Sequence, residues 1–518
     1  MTEAAQPDRP RDRLTHFRWW IILALLATGM AIQFTTFINQ DLAWITYSAR
    51  WLLHGAAYGR DLIDPNPPLA WYLAFPEAYL WETWGIDPGV STPLICAALA
   101  MAVLCYLDRL PSLYSAYFPR RPMTIVILAL AYWLLIGCAD GLGQREYLGA
   151  LFGLPHLLLS PSRYRGLVLS SGAAVAIGLL AGVGYSLKPN FLVVPVVVEL
   201  ASMAHFRLFK PLFRIENWAL GLFAVSYAAL ILILVPAYMT DMVPFVVQYY
   251  WAFERSWAFV ILSVAAFIMI LLIDAYLCMK GARPDLQLSL IPGAAAFLAS
   301  YLAQHKGYTY HALPFKMLAT TSALLVLLST DWIREKARRH LALVAVAVGW
   351  LLSLSQVGQW YRVANIMNGG YAAETRQLIG ILDRHAAGHA FLALTSHPYP
   401  AFPTALYTEA VWGSRADSLH YLPAVARLRA GDRAVGAADR EITERRAWDA
   451  LRRDLQRSQP AVILLFDPPD QPSVEEVAFD ILGFYREDPT IDAIWRDYTE
   501  TDRTRSYRVF VRAGSPGS

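Results

Sequence analysis

The residues best placed to do chemistry are charged side chains that stand in short clusters between long apolar runs. The first cluster begins at Asp41, directly after the first apolar run, within the segment 39–55 (NQDLAWITYSARWLLHG). A carboxylate can take the proton of a reacting hydroxyl, and cationic side chains can stabilise negative charge on a leaving group. Because a charge beside hydrocarbon is costly to keep, the position of Asp41 suggests a functional role.

The composition is typical of a membrane protein with many spans. Of 518 residues, 56% are hydrophobic, and the mean hydropathy is +0.36, which exceeds the apolar content of an ordinary soluble protein. The net charge of +3 is a sum over residues on both sides of the membrane, so it gives no reason to expect a nucleic-acid partner. The four cysteines lie in or beside predicted spans, so they predict neither a disulfide framework nor a thiol-metal site.

Eleven apolar stretches, each about long enough to cross a bilayer, precede residue 359. The stretch 19–38 is a retained anchor, since it is about 20 residues long and lacks a small-residue cleavage site. The other spans are expected at 93–107, 123–138, 147–160, 167–184, 190–206, 217–238, 257–278, 288–303, 312–330 and 341–358. The pattern predicts an α-helical polytopic membrane protein with a cytoplasmic tail at 1–18, a transmembrane domain at 19–358 and a further domain at 359–518.

The numbers of Lys and Arg residues in alternate loops predict the orientation. With a cytoplasmic N-terminus, about 18 of these residues lie inside and about 6 outside, a strong positive-inside bias. The first loop, 39–92, and the C-terminal tail are therefore expected on the extracytoplasmic side. The membrane is expected to be a bacterial-type inner membrane.

The first outer loop contains two candidate helices. Asp41, Trp44 and Ser48 share one helical face, which predicts an interfacial helix that Gly55 ends. The segment 64–73 (DPNPPLAWYL) reads as a rigid turn that leads into a second amphipathic helix. Asp41 also has a structural interpretation, in which Asn39 caps the helix and Asp41 only complements the helix dipole.

At these residues the chain resembles the GT-C class of integral membrane glycosyltransferases, which use polyprenyl-phosphate-linked sugars. The similar pattern continues through the loop around Asn66, the segment 143–147 (GQREY), Lys188-Pro189 and the loop 304–311 (QHKGYTYH). The resemblance implies two juxtamembrane helices in the first outer loop and Asp41 as the catalytic base. Leu42 follows Asp41 where many members have a second acidic residue, so a divalent metal cofactor is not supported.

A transferase of this class needs cations for the donor phosphate. The candidates lie in separate predicted outer loops that could converge over one cavity: Arg60, Arg145, Lys188, Arg255 and Lys306. Arginine makes forked contacts to phosphate oxygens, and lysine supplies a compact charge. Glu146 could orient Arg145, although the two could equally anchor the fourth span, and Lys188 could simply extend to the lipid headgroups.

The loop 304–311 offers several polar groups for phosphate and sugar hydroxyls, namely His305, Lys306, Tyr310 and His311. An aromatic membrane-interface belt is the alternative, and the spacing of the two histidines gives only weak support for a metal. Candidates for acceptor or lipid binding are Trp44, Asp64, Asn66, Tyr249 and Arg255. The last two lie in the segment 238–257, which predicts an interfacial helix whose aromatic residues could equally be anchors. Glu199 and Asp274, within apolar spans, are expected to have paired structural roles.

After Tyr361 the composition shifts toward charged residues, and strands alternate with helices. Helices are expected near 372–386, 438–456 and 474–484, and strands at 391–394, 461–466 and 507–511. This alternation predicts a small extracytoplasmic α/β domain. The segment contains no Gly-rich phosphate loop, and both acceptor binding and a structural lid are open roles for it.

The leading functional hypothesis is an inverting transfer of a sugar from a polyprenyl phosphate to a glycan, lipid or protein acceptor at the extracytoplasmic face. Its partners are the donor, the acceptor and membrane lipids. A ligase or polymerase that uses lipid-linked oligosaccharides is the first alternative. A lipid or solute transporter is the second, although no convincing internal repeat favours transport.

Overall fold

A computed structural model describes residues 13–280, 285–328, 336–362, 371–432, 438–468 and 477–515. Most of the predicted tail 1–18 and the start of the predicted helix 474–484 lie outside these ranges. The chain divides into two compact units. The first comprises Met1–Ile32, Pro93–Val225 and Ser256–Trp360, and the second comprises Gln33–Thr92, Ser226–Arg255 and Tyr361–Ser518. The domain boundaries predicted from the sequence stay predictions.

The first unit is built from helices, most of which are apolar along nearly their whole length. Such helices have no polar face, which is typical of segments inside a membrane or a large core. The helices that lie wholly or mostly in this unit are Arg13–Gln33, Pro88–Leu113, Arg120–Tyr132, Arg145–Tyr164, Ser171–Ser186, Val193–Phe206, Ile215–Leu234, Trp257–Leu262, Ala265–Met279, Gln287–Gln304, Leu313–Leu328 and Lys336–Tyr361.

Among the described residues, seven helices are long and apolar enough to cross a membrane, which indicates a multi-pass membrane protein. They are Leu14–Gln33, Pro88–Leu113, Arg120–Gly137, Pro189–Phe206, Ile215–Leu234, Thr309–Leu328 and Arg338–Tyr361. Ser171–Ser186 and Ala265–Met279 are shorter apolar helices. The predicted number of eleven spans is therefore not confirmed. The predicted span 147–160, for example, lies in a helix that begins with Arg145 and Glu146, and such charges lower its hydropathy.

The two acidic residues inside apolar helices are both hydrogen-bonded. Oε1 of Glu199 accepts hydrogen bonds from the Ser160 hydroxyl at 2.7 Å and from Nη2 of Arg214 at 2.5 Å, and its Oε2 accepts one from the Tyr164 hydroxyl at 3.0 Å. Asp274 accepts a hydrogen bond from the hydroxyl of Ser322. Glu199 thus has partners for both carboxylate oxygens, as a structural role requires. Asp274 is bonded through Oδ2, and within the described residues its Oδ1 has no hydrogen-bond partner.

The helices Ser171–Ser186 and Ile215–Leu234 approach each other closely at Gly178. A Cβ atom at this position would lie 2.3 Å from the carbonyl oxygen of Glu216 and 2.7 Å from the Cβ of Ala219. Small residues permit such close packing of helices in membranes, where dispersion contacts replace the hydrophobic effect as the force of association. Glycine is therefore required here by its size.

The second unit begins with the helix Gln40–Leu53, and Gly55 follows it with a left-handed φ of +84°. Two helices, Leu69–Leu73 and Phe75–Trp84, complete the first loop. The predicted interfacial helix at 238–257 is divided into Tyr238–Met242, Val243–Tyr249 and Tyr250–Phe253. The remaining helices are Tyr371–His385, Ala401–Tyr407, Leu422–Arg429, Arg440–Ser458, Ile481–Arg486 and Pro489–Trp495.

A mixed five-stranded sheet forms the core of the C-terminal part of this unit. Its strands are β1 (Ala390–Leu394), β2 (Val411–Trp412), β3 (Val462–Phe466), β4 (Tyr498–Arg503) and β5 (Tyr507–Arg512), in the order β2-β1-β3-β5-β4. β1 runs parallel to β2 and β3, and β5 runs antiparallel to β3 and β4. Three of the strands lie where the sequence predicts them. β2 and β4 were not expected, since β2 is only two residues long and β4 is a largely exposed polar edge strand.

Replacement of Gly178 by Ala should lower the stability of the first unit by about 1–3 kcal/mol, because the new methyl group would overlap the backbone of the facing helix. Gly172→Ala is the matched control. It lies in the same helix, and nothing stands within 4 Å of its Cβ position. Thermal unfolding of the purified protein in detergent measures both variants. Equal unfolding midpoints for the two would contradict the close approach of the helices.

Candidate functional site

Asp41 lies in the first turn of the helix Gln40–Leu53. Asn39 caps this helix, because its Oδ1 accepts a hydrogen bond from the backbone N–H of Asp41 at 2.9 Å. The eight residues from Leu42 to Ala49 are all buried, so packing fixes the helix, and Asp41 itself is half-buried. The cap expected from the sequence is confirmed. It holds Asp41 in one place and leaves a chemical role open.

The predicted acceptor residues Trp44, Asp64 and Asn66 form one hydrogen-bonded group. The indole N–H of Trp44 donates to Oδ2 of Asp64 at 2.8 Å. Oδ1 of Asp64 accepts hydrogen bonds from the backbone and side-chain N–H groups of Asn66, at 2.6 and 2.8 Å. Both oxygens of this buried carboxylate are therefore bonded within the protein. These hydrogen bonds hold the turn at 64–66 against the helix Gln40–Leu53. A role of the three residues in acceptor or lipid binding stays a prediction.

His397 is a titratable residue on which the charge of Asp41 acts. It follows β1, and its Nδ1 accepts a hydrogen bond from the backbone N–H of Tyr399 at 3.2 Å. Because Nδ1 accepts, the neutral ring must carry its proton on Nε2. Burial lowers the pKa of His397 below its ordinary value, although the charges of Asp41 and Asp417 both act on the ring in the opposite direction. Asp41, His397 and Asp417 are called the Asp41 cluster below.

Asp417 is held as a carboxylate by its own neighbours. Nε2 of His420 donates a hydrogen bond to Oδ1 of Asp417 at 2.6 Å, and the Ser418 hydroxyl donates another to the same oxygen at 3.0 Å. Burial alone would raise the pKa of Asp417. The interactions with His420, Ser418 and His397 outweigh that effect, so the pKa lies below its usual range. The neutral ring of His397 therefore lies within electrostatic range of two carboxyl groups.

Sequence reasoning missed His397, Asp417 and His420. One signal could have found the first of them: the segment 395–400 (TSHPYP) directly follows a predicted strand. Ligand-binding residues often lie beyond the carboxyl ends of parallel strands, and β1 is parallel to both of its neighbours. Within the described ranges, no three His, Cys, Asp or Glu residues are grouped closely enough to hold a metal ion.

A second group of polar residues lies in the first unit and is called the Lys188 cluster. Nζ of Lys188 lies 2.5 Å from Oε1 of Glu146, 2.7 Å from Oε1 of Gln304 and 3.3 Å from Nε2 of His311. Lys188 is buried and bonded, so the alternative in which it extends to the headgroups is not supported. Glu146 forms an ion pair with Lys188, and the expectation that it orients Arg145 stays a prediction.

Further cationic and aromatic groups surround His311. The charges of Lys188, Lys306 and Arg145 all act on its ring, and all three side chains are buried. The ring of Tyr310 packs edge-on against His311, with 4.5 Å between the ring centroids. Within the described residues, Oε2 of Glu146 and Nδ1 of His311 have no hydrogen-bond partner. Buried polar atoms rarely stay unbonded, so these two atoms are candidates for contact with an external group.

Two of the residues predicted to bind the donor have other neighbours. The ring of His305 stacks on that of Trp257, with 3.9 Å between the centroids. Arg60 lies in the second unit, where its guanidinium is exposed and forms an ion pair with Asp61 at 2.8 Å. Six of the eight predicted donor residues, however, are those of the Lys188 cluster and its surroundings: Arg145, Glu146, Lys188, Lys306, Tyr310 and His311.

The two candidates from the segment 238–257 also lie in the second unit. Tyr249 is 1% exposed, and its ring packs against Tyr421 with 5.0 Å between the centroids. This burial does not fit the predicted contact with lipid or acceptor, because the ring belongs to an internal aromatic group. Arg255 is half-buried in the extended segment that follows the turn Tyr250–Phe253.

Comparisons with known proteins give a match among solved structures. No family model matches the chain, and no curated protein matches it. The chain is similar to the cryo-EM structure of the arabinofuranosyltransferase AftD from Mycobacteria, with 14% sequence identity and a TM-score of 0.46. The alignment covers 96% of this chain and 40% of the AftD chain. The chain therefore spans less than half the length of that structure.

Substitution of His397 by Gln should make stability less dependent on pH. Its folded pKa lies below the ordinary 6.5, so below that pH the unfolded chain binds a proton that the folded protein does not. Stability is therefore full above 6.5 and falls as the pH drops toward the folded pKa. His397→Gln removes this contribution, and the slope of the melting temperature between about pH 7.5 and pH 5 should decrease.

Tryptophan fluorescence during heating measures this slope. His389→Gln is the control, because His389 is exposed, and its slope should match that of the unchanged protein. An unaltered slope in His397→Gln would show that His397 does not resist protonation in the folded state.

The pair of Lys188 and Glu146 provides a test of the second cluster. Lys188→Met should cost about 3–5 kcal/mol of stability, because it leaves a carboxylate that is 0% exposed without its cation. The double variant with Glu146→Gln should regain most of this loss, since neither charge remains. Lys210→Met, at an exposed position, should have little effect. Unfolding midpoints of the unchanged protein, Lys188→Met, Glu146→Gln and the double variant check the cycle, with Lys210→Met as a fifth protein for the control. Additive effects of the two single substitutions would exclude a coupled pair.

Proposed function

We propose that the protein is a membrane glycosyltransferase of GT-C type that moves a sugar from a polyprenyl phosphate to a hydroxyl of a glycan, lipid or protein acceptor. The transfer is a single displacement with inversion at the extracytoplasmic face of a bacterial-type inner membrane. The orientation is supported by the excess of Lys and Arg in alternate loops. The observation that carries the proposal is the half-buried Asp41 at the start of a packed helix, within electrostatic range of His397.

Asp41 is the general base of this reaction. The acceptor oxygen attacks C1 of the donor sugar, and Asp41 takes the hydroxyl proton as the new C–O bond forms. The bond between C1 and the phosphate oxygen breaks, and the polyprenyl phosphate leaves with the electron pair. The helix cap at Asn39 supports this role, since a base must be held within hydrogen-bond reach of the proton that it removes.

His397 is a positioning residue for Asp41. The contact of its Nδ1 with the N–H of Tyr399 sets the ring orientation and leaves the Nε2 proton as the donor. A neutral imidazole can hold a carboxylate by a hydrogen bond without neutralising its charge. The second carboxylate, Asp417, accepts a hydrogen bond from His420.

The Lys188 cluster is the part of the first unit best suited to bind the donor phosphate. Arg145, Lys188 and Lys306 supply three cationic groups against the single carboxylate of Glu146. Buried cations stabilise an anion more strongly than exposed ones do, and a guanidinium can bind two phosphate oxygens at once. Oε2 of Glu146 and Nδ1 of His311 offer further contacts for sugar hydroxyls.

Asp41→Asn should lower the rate of sugar transfer by about 10²–10⁴-fold, because the amide cannot accept the proton. Folding and donor binding should be retained, since Asn has nearly the size of Asp. The assay incubates purified protein with a panel of polyprenyl-phosphate sugars and identifies lipid products by mass spectrometry. Gln40→Ala, one residue away in the same helical turn, is the control and should keep its activity.

The transfer assay, together with a flux measurement in liposomes, distinguishes the transferase from the ligase or polymerase and from the transporter. Full transfer by Asp41→Asn would remove Asp41 as the base. Product formed only from a lipid diphosphate oligosaccharide would favour the ligase or polymerase over the monophosphate-dependent transferase. Solute flux in liposomes without any glycosylated product would favour a transporter.

A further inference from the structure

The second unit contains an open cleft whose lining includes neither Asp41 nor His397. It has a volume of about 820 Å³, within the range of small-molecule and cofactor sites. Its walls combine aromatic rings with arginines, notably Tyr47, Arg50, Trp51, Arg60, Trp81 and Arg457. Four of the lining positions, 47, 50, 51 and 54, follow the helical spacing i, i+3, i+4, i+7, so one face of the Gln40–Leu53 helix forms one wall.

The aromatic rings of the cleft are held in fixed orientations. The rings of Tyr47 and Trp51 pack against each other with 5.3 Å between their centroids. The guanidinium of Arg50 lies over the ring of Trp81 at 4.5 Å. Trp51 and Trp81 are both half-buried, so part of each indole is accessible. The electron-rich face of an indole attracts the weakly positive C–H groups on the face of a sugar ring.

The charged groups of the cleft are largely paired with one another. Arg50 forms an ion pair with Glu82. Asp61 forms ion pairs with Arg60 at 2.8 Å and with Arg457 at 3.4 Å. Paired charges have little surplus attraction for an anion, yet their remaining N–H groups and oxygens can bond to hydroxyls. This chemistry favours an uncharged ligand with many hydroxyl groups over a phosphate or a sulfated chain.

We infer that this cleft binds a neutral glycan chain, and that the chain is the acceptor of the transfer. The second half of this inference rests on the proposed function. Trp51 stands ten residues after Asp41 in one helix, which separates them by about 15 Å along the helix axis. The cleft therefore suits sugar residues some distance from the reacting hydroxyl, while Asp41 serves the end of the chain that receives the new sugar.

Saturation-transfer NMR of the full-length protein in detergent tests the binding. The probes are a panel of neutral linear pentose and hexose tetrasaccharides, a tetragalacturonate and inorganic phosphate. A neutral tetrasaccharide should bind, and Trp81→Ala should weaken that binding at least ten-fold because it removes a stacking face. Trp84→Ala is the matched control. It lies on the same helix, is 66% exposed and does not line the cleft.

Arg457→Gln should weaken binding in the same way, and Arg453→Gln should not. The control arginine is exposed and lies one helical turn away, outside the cleft lining. Asp41→Asn should bind the tetrasaccharide as the unchanged protein does, since its substitution affects proton transfer alone. Loss of binding in Trp81→Ala with retained binding in Asp41→Asn therefore supports the cleft whether or not Asp41 is the base.

Two results would overturn the inference. The first is the absence of a transfer signal from every neutral tetrasaccharide, or a signal only from tetragalacturonate or phosphate. The second is equal binding by Trp81→Ala and Trp84→Ala. A third result would contradict only the acceptor assignment. In that case the neutral chain binds, but Trp81→Ala transfers sugar with an unchanged KM for a tetrasaccharide acceptor. The cleft would then bind a glycan without being the acceptor site.

Discussion

The burial of the helix Gln40–Leu53 is the constraint on which the candidate site depends. The Trp44 ring packs against Phe402 with 5.2 Å between the centroids, and the Tyr47 hydroxyl accepts a hydrogen bond from the backbone N–H of Trp412 at 3.1 Å. A close-packed helix can neither rotate nor slide without breaking such contacts. Its first turn therefore fixes Asp41, and its last turns fix one wall of the cleft. A single element sets the spacing between the proposed base and the proposed glycan site.

His397, the proposed positioning residue for Asp41, is itself held by a strand and not by a helix. β1 is hydrogen-bonded on both edges, to β2 and β3, and all its residues except Ala390 are buried. A central strand of this kind gives the residues that follow it a rigid starting point, as in other sheets where function lies at the carboxyl ends of strands. The backbone N–H of His397 then donates to the Thr395 hydroxyl, and Nδ1 of the imidazole accepts from the backbone N–H of Tyr399, which orients the ring. The helix thus positions Asp41, the proposed base, and the strand positions His397, the proposed positioning residue.

The sequence is sufficient to predict the features that depend on local chemistry. The Asn39 cap, the helix that starts there and the polar loops that supply Lys188 and His311 all follow from residue types and spacing. The link between Asp41 and His397 does not, because the two residues are far apart in the chain and only tertiary packing joins them. The cleft is missed for the same reason. The predicted number of eleven spans is not confirmed: among the described residues, seven helices are long and apolar enough to cross a membrane.

Glu146 and Glu199 are two of the buried charged residues of the first unit, and the bonding of their carboxylate oxygens differs. Glu199 uses both carboxylate oxygens, bonding Ser160 and Arg214 through one and Tyr164 through the other. Glu146 bonds through Oε1 alone, and within the described residues its Oε2 has no partner. A charge that serves only the fold is stable when every oxygen is bonded, since each open position costs free energy. Within the described residues, Oδ1 of Asp274 also has no partner, so the open oxygen of Glu146 supports a ligand at the Lys188 cluster only together with the buried cations there.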